Sequence, residues 1–247
     1  MHCLITNDDG YEAEGLATLV KVALRLGTVD VVAPRTVQSQ TSHAISMSRP
    51  VAMRALDHPP IGRLTAVEGR PADCTRLALA GLTATRRPDW VLSGINHGGN
   101  LGVDLHYSGT VAAAREAVLN GVPAIAVSQV IQRPLEIDWD GAAVMTARVL
   151  ERLLEAPPAP RTLINVNLPA VTAGFDRVPL VETTVATDPL SLAYETIAAP
   201  ADCPPEIVAF THYRYAGRYR DRPRAAGSDV DVAFGGGISL SRVAVVP

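Results

Sequence analysis

The chain has 247 residues, 47% hydrophobic and 19% charged, enough to bury a sizeable core in one large α/β domain or one domain with an appendage. Its 22 Lys and Arg against 25 Asp and Glu leave a formal net charge of -3, which excludes a broad basic field for duplex nucleic acid or an anionic membrane. Three cysteines without a C-x-x-C pair, acids at positions 8 and 9, and no apolar run of bilayer length lead us to expect a cytoplasmic protein with no membrane contact.

Strand-like and helix-like stretches alternate over the first two-thirds of the chain, the pattern of a mostly parallel sheet covered by helices. Cys3 to Thr6, Val29 to Ala33, Asp89 to Ser93, Ala124 to Ser128 and Leu163 to Asn167 are short and almost continuously apolar, as strands buried on both faces must be. Between the first two, Leu16, Leu19, Val20, Ala23 and Leu24 mark one face of a helix that Gly27 stops. Cys74, Leu77, Ala78 and Gly81 repeat the spacing after Pro71. Ala112 to Leu119 predicts another helix, and Asp140 is the expected cap of a longer one ending before Pro157. Residues 43 to 68 predict strands or a hairpin. After Pro169 helical periods vanish, and Val178 to Val185, Ile207 to Tyr215, Val230 to Phe234 and Ile238 to Val246 read as short strands. The expected division is an α/β body over 1–169 and a strand-rich extension over 170–247.

If the strands are parallel, their following loops open on one edge, where open α/β sheets bind ligands. That edge carries Asn7, Asp8 and Asp9, then Ser39 to Ser42, then a glycine-rich loop from Gly94 to Gly109. Asp8 and Asp9 alone read as an Asp-Asp-Gly turn. With a Ser hydroxyl and an Asn carbonyl they become an all-oxygen set of the kind Mg²⁺ or Mn²⁺ prefers. The six histidines show no metal-ligand spacing, which argues against zinc. The helix opening at Ser108-Gly109-Thr110 has no acid in its first turn, so its free N–H groups can take a phosphate, although either hydroxyl can equally be a plain N-cap. P-loop, dinucleotide and nucleophile-elbow patterns are absent. The stretch Tyr213 to Arg224 interleaves arginine with tyrosine, which suits a base or single strand; a solvated arm or oligomer contact is the reading favoured in an acidic chain.

Thr6-Asn-Asp-Asp-Gly10, Val32-Ala-Pro34, Gly69-Arg-Pro-Ala-Asp-Cys74, Ser93-Gly-Ile-Asn96, Gly99-Asn-Leu-Gly102 and Tyr107-Ser-Gly-Thr-Val-Ala-Ala-Ala114, in this order, resemble the SurE family of stationary-phase survival proteins. The resemblance implies a Rossmann-like three-layer α/β sandwich with a strand-rich C-terminal extension, assembled as a homodimer or homotetramer. It implies a metal-dependent phosphatase acting on nucleoside 5′- and 3′-monophosphates. One divalent ion per subunit, Mg²⁺ or Mn²⁺, would sit on Asp8, Asp9, Ser39 and Asn96, with Asp8 and Asp9 as the catalytic pair. Asn7, Gly94, Asn96, Ser108, Gly109 and Thr110 would face the phosphate or substrate. Two alternatives stay open: a covalent phosphoryl acceptor at Asp8 or Asp9, and a nucleotide- or RNA-binding relative without turnover. The chain departs from the family at Arg35-Thr-Val-Gln-Ser-Gln40, where the family commonly has Asp-Arg-Asn-x-Ser-Gly. Because Gln resists the positive φ that Gly accepts, the loop at Ser39 is expected to take a different path.

Overall fold

A computed structural model describes residues 1–245. In chain order its elements are β1 (His2–Thr6), α1 (Glu14–Ala23), β2 (Thr28–Pro34), β3 (Ala52–His58), β4 (Gly62–Glu68), α2 (Pro71–Leu79), β5 (Trp90–His97), α3 (Gly109–Leu119), β6 (Ala124–Gln129), α4 (Trp139–Leu153), β7 (Thr162–Leu168), β8 (Leu180–Glu182), β9 (Tyr194–Ile197), β10 (His212–Tyr215), α5 (Asp229–Phe234) and β11 (Ile238–Ala244). Nine strands form one sheet in the order β3-β4-β2-β1-β5-β6-β7-β11-β8. From β4 to β7 every neighbouring pair is parallel. The hairpin partner β3 and the returning β11 add antiparallel pairs on either side, and β8 lies parallel to β11. β9 and β10 make a separate antiparallel ribbon. The architecture is thus the expected α/β fold with a mostly parallel sheet, joined by a small C-terminal antiparallel sheet.

Both faces of the sheet are covered, and side chains alternate between two cores. Cys3, Ile5, Trp90, Leu92, Ile125, Val127, Ile164 and Val166 pack under α1 and α4, against Leu16, Leu19, Met145 and Val149. The intervening Leu4, Val91, Ala124, Ala126 and Leu163 pack under α2 and α3, against Cys74, Ala78, Val111, Ala114 and Ala117. This period of two explains why the strands read as unbroken apolar runs. Full burial of a residue such as Leu92 or Ile125 contributes about 1.5–3 kcal/mol relative to exposure, so sheet position is fixed mainly by these layers. Cys3 and Cys74 are small buried members of the cores, as expected. No described helix is long and apolar enough to cross a membrane.

Several expectations need correction. Val230 to Phe234 is helical, because Ser228 caps it by accepting from Asp231 N at 3.2 Å, a local device that outweighs the β preference of its valines. In the stretch from Ile207 only His212–Tyr215 is extended, since Pro205–Ile207 closes a 3₁₀ turn. Only Leu180–Glu182 of the run from Val178 pairs as a strand. The last run is a strand through Ala244; Val246 lies outside the described residues. The third loop begins at Gly98 because β5 continues to His97, and it contains a 3₁₀ turn over Gly102–His106.

The cap of α4 is Asp138, whose carboxylate accepts from Gly141 N at 2.8 Å, whereas Asp140 sits inside the first turn with its side chain 90% exposed beside Lys21. Asp138→Ala is therefore expected to cost about 1 kcal/mol in urea unfolding. Asp140→Ala should stay within about 0.5 kcal/mol, since an exposed ion pair contributes little.

Candidate active site

β1 is a central strand, flanked by β2 and β5, so the turn after it emerges in the middle of the carboxyl edge. Asn7 is fully buried beneath this turn and donates from its amide to the Gly10 carbonyl at 2.7 Å. Asp8 follows with only 4% exposure, and its Oδ1 accepts from the Thr110 hydroxyl at 2.5 Å. Removal from water, with the Asp9 charge adding to it, pushes the Asp8 carboxyl up to about 6 against the opposing Thr110 hydrogen bond. Asp9 is half-buried and its Oδ2 accepts from His97 N at 2.9 Å, tying the turn to the end of β5.

The start of α3 meets this turn. Ser108 is its N-cap, accepting from Val111 N at 3.0 Å, and no acid occupies the first turn. A Cβ on Gly109 would come within 2.8 Å of Asp8 Cβ and 2.9 Å of Asp8 Oδ2, so the helix end can approach the carboxylate this closely only with glycine there. Asn96 donates from its amide nitrogen to Gly98 O at 2.7 Å, which leaves its oxygen as the group available to a ligand. Gly94 lies within β5, where a Cβ would fall 2.1 Å from the Val127 carbonyl. It therefore serves strand packing against β6, away from the cavity lining.

In the Ser39 loop Gln40 adopts φ 60, the left-handed conformation that Gly accepts more readily, and Ser42 does so at φ 54. The loop is held at both ends: Gln38 N donates to Asp8 O at 2.7 Å, and Ser42 donates from N and Oγ to the carbonyls of Tyr107 and His106 at 3.1 and 2.7 Å. These anchors fix the path and leave Gln40 to absorb the strain.

A cavity of about 720 Å³ collects Asp8, Ser39, Asn96 and Ser108. Asp9 stands beside it on His97, while Asn7, Gly94 and Thr110 lie underneath. Among the described residues no three His, Cys, Asp or Glu side chains cluster, so the cation donors available at this edge are two carboxylates, an amide oxygen and a hydroxyl. That hard-oxygen set suits Mg²⁺ or Mn²⁺ and not zinc.

Two supporting clusters escaped sequence reasoning. Asn100 is clamped under the third loop: its N donates to Asn167 Oδ1 at 2.7 Å, its amide to Ser128 Oγ at 2.8 Å, and its carbonyl accepts from Asn165 and Asn167 at 2.9 and 3.0 Å. The signal available was two asparagines in an otherwise apolar strand. Asp104 binds Arg222 bidentately at 2.8 and 2.9 Å and accepts from the Tyr219 hydroxyl at 2.7 Å. Part of the Arg/Tyr stretch is thus an internal buckle: Arg222 is 8% exposed, whereas Arg218 is 83% exposed and fits the solvated-arm reading.

Because the folded Asp8 carboxyl titrates near 6 and the unfolded one near 3.8, the folded state holds this proton over the intervening pH range and the unfolded state does not. Stability from this group is therefore lost as pH rises through that window, reaching roughly 3 kcal/mol when complete. In chelator, Asp8→Asn is expected to be more stable than the parent near pH 8 by up to roughly that amount, and to match it near pH 4. Gln40→Gly should leave stability unchanged or raise it by up to about 1 kcal/mol, while Gln40→Val should lower it by more than about 1 kcal/mol, both read by urea unfolding.

Residues 3–188 match the family described as Survival protein SurE. A relative from Nostoc sp., provisionally named a 5′-nucleotidase, is 37% identical over 245 residues, spanning 99% of this chain and 100% of its own length. The 5′-nucleotidase SurE of Myxococcus xanthus is 48% identical over 166 residues, 67% of this chain and 61% of that protein. The crystal structure of the SurE protein from Aquifex aeolicus superposes with a TM-score of 0.82 at 27% identity, covering 100% of this chain and 94% of that one. With the turn of paired acids, the acid-free helix start and the Ser39 loop joined at one sheet edge, the chain belongs to the SurE family of 5′-nucleotidases.

Proposed function

We propose that the protein hydrolyses nucleoside 5′- and 3′-monophosphates to nucleoside and phosphate, using one Mg²⁺ or Mn²⁺ ion per subunit. The observation that carries this reading is the contact between a buried carboxylate and an acid-free helix start at Asp8 and Gly109. A phosphate drawn to the α3 N–H groups would meet the negative charge of Asp8 and Asp9, and above the Asp8 titration near 6 a cation between them would relieve that opposition. Asp8, Asp9, Ser39 and Asn96 are the residues that would hold it. When bound, such an ion supplies a Lewis acid for a phosphoryl oxygen and a more acidic water.

The chain's own groups do the positioning. Thr110 keeps Asp8 in one orientation through its hydroxyl. The free N–H groups of the first turn of α3 donate to the equatorial phosphoryl oxygens as charge moves during transfer. His97 N restrains Asp9 at the end of β5. Self-association as a homodimer or homotetramer fits the exposed Val208, Phe210 and Tyr213 of the C-terminal arm, which are 50%, 65% and 64% exposed.

The test is release of inorganic phosphate from a panel of nucleoside monophosphates, with and without Mg²⁺ or Mn²⁺. Turnover should require the metal, and Asp8→Asn and Asp9→Asn should each lower kcat/KM by more than about a hundredfold. Chelation should leave the circular dichroism spectrum unchanged, since the donors lie at a loop edge outside both cores. Near-normal turnover by both variants would remove the assignment. Nucleotide binding that persists in EDTA, with no phosphate release when Mg²⁺ or Mn²⁺ is supplied, would instead favour a binding-only relative.

A further inference from the structure

We propose that the β9/β10 ribbon is the nucleobase platform of this site, with Tyr194 and Tyr215 stacking the base of a nucleotide whose phosphate lies at the start of α3. The proposal deepens the phosphomonoesterase reading and rests on it. The cavity that collects Asp8, Ser39, Asn96 and Ser108 is also lined by Leu192, Tyr194, Tyr215 and Tyr219. One cavity, within the size range of small-ligand sites, therefore holds both an anion-binding set and an aromatic set.

The ribbon's register produces that aromatic set. Tyr194 pairs with Tyr215 and Thr196 with Tyr213, while Glu195 pairs with Arg214 between them. Side chains alternate across a strand, so the tyrosines share one face and the Glu195–Arg214 ion pair takes the other. Tyr194 and Tyr215 meet edge to face, with centroids 5.6 Å apart at 74°, and stay 62% and 46% exposed. Such a pair leaves aromatic face open to a flat partner.

The platform is fixed in place. Ala216 N donates to Ala193 O at 2.9 Å and closes the ribbon. Three residues later, Tyr219 donates to Gly99 O at 3.0 Å, and Arg222 holds Asp104, so the ribbon is fastened to the loop between β5 and α3. Gly217 sets the Tyr215 ring, because a Cβ there would fall 2.1 Å from the Tyr215 hydroxyl. Asp104, which lines the same cavity, is spent on Arg222 and Tyr219, and the Glu195–Arg214 pair lies on the opposite face, which leaves stacking as the means of recognition. Stacking accepts every base, so the platform selects for the presence of a base and is tolerant of its identity.

The experiment compares kcat/KM for adenosine 5′-monophosphate with that for ribose 5-phosphate. In Tyr194→Ala/Tyr215→Ala the ratio should fall about tenfold to hundredfold, chiefly through KM of the nucleotide. Tyr194→Phe/Tyr215→Phe should retain the parent ratio, and Gly217→Ala should lower it by displacing the ring. An unchanged ratio in the double alanine variant overturns the proposal, as does an unchanged ratio accompanied by loss of self-association, which would make this face an interface between copies. If the parent releases no phosphate from either compound, the phosphomonoesterase reading fails by itself. Calorimetric titration with adenosine 5′-monophosphate then decides the platform: affinity weakened tenfold or more in the alanine variant supports it, and equal affinity overturns it.

Discussion

The hydrogen bond from Thr110 to Asp8 is the constraint on which the rest of the site depends. It joins the end of the central strand β1 to the start of α3 across 102 residues of sequence, at a carboxylate almost wholly removed from water. A carboxylate in that position destabilises the fold unless its charge is answered, and Thr110 answers only part of it. The remaining discomfort is local and directional: it lies on the cavity side, where Asp9 adds charge and Gly109 keeps the helix end within reach. A fold optimised only for stability would place a neutral residue at position 8. Keeping the acid there leaves a charge that a proton relieves and that, on the proposed reading, a cation would relieve as well, which would link ligand binding to stability at this edge.

Around that contact the backbone of the third loop is tied down by hydrogen bonds from distant parts of the chain. The third loop is glycine-rich and ordering it carries a conformational entropy cost that its own residues cannot offset. It is instead held from three directions. The Asn100 clamp fixes it to β6 and β7, and Asp229 accepts from Gly102 N at 2.8 Å and Ala186 N at 2.9 Å. Asp104 receives Arg222 and Tyr219 from the C-terminal arm. The result is a cradle ordered in advance, which is what electrostatic stabilisation of a phosphoryl transfer needs.

What could be read from the sequence follows from how local each cause is. The central strands were legible because burial on two faces leaves a continuous apolar run, and α1, α2 and α3 because their stops and periods lie within a few residues. The gathering of Asp8, Ser39, Asn96 and Ser108 was legible because parallel topology alone sends the loops after β1, β2 and β5 to one edge. Val230 to Phe234 was misread because one Ser228 cap decided between helix and strand. The true cap of α4 was missed because Asp138 and Asp140 are both plausible from residue type, and only backbone geometry separates them. β11 joins the main sheet by pairing with β7, and β8 joins it by pairing with β11, in each case with a partner dozens of residues away. Similarly, the Asn100 to Asn167 and Asp104 to Arg222 bonds span 67 and 118 residues, and no periodicity marks them.

The Arg/Tyr stretch shows how one composition can serve three physical roles at successive positions. Arg214 is committed to Glu195 across the ribbon, Arg222 to Asp104 beneath the third loop, and Arg218 remains in solvent. The tyrosines divide in the same way: Tyr219 lends its hydroxyl to the buckle and its ring to Arg222 at 4.1 Å, while Tyr215 turns to the cavity over Gly217. Composition alone suggested a base or single-strand contact, or a solvated arm or oligomer contact; Arg218 fits the solvated arm, while Arg214 and Arg222 are paired within the chain. Each arginine that is paired internally removes a positive charge that could have gripped a phosphate backbone. What the arm retains near the active site is aromatic surface, the part of the stretch suited to a single base and not to a polyanion.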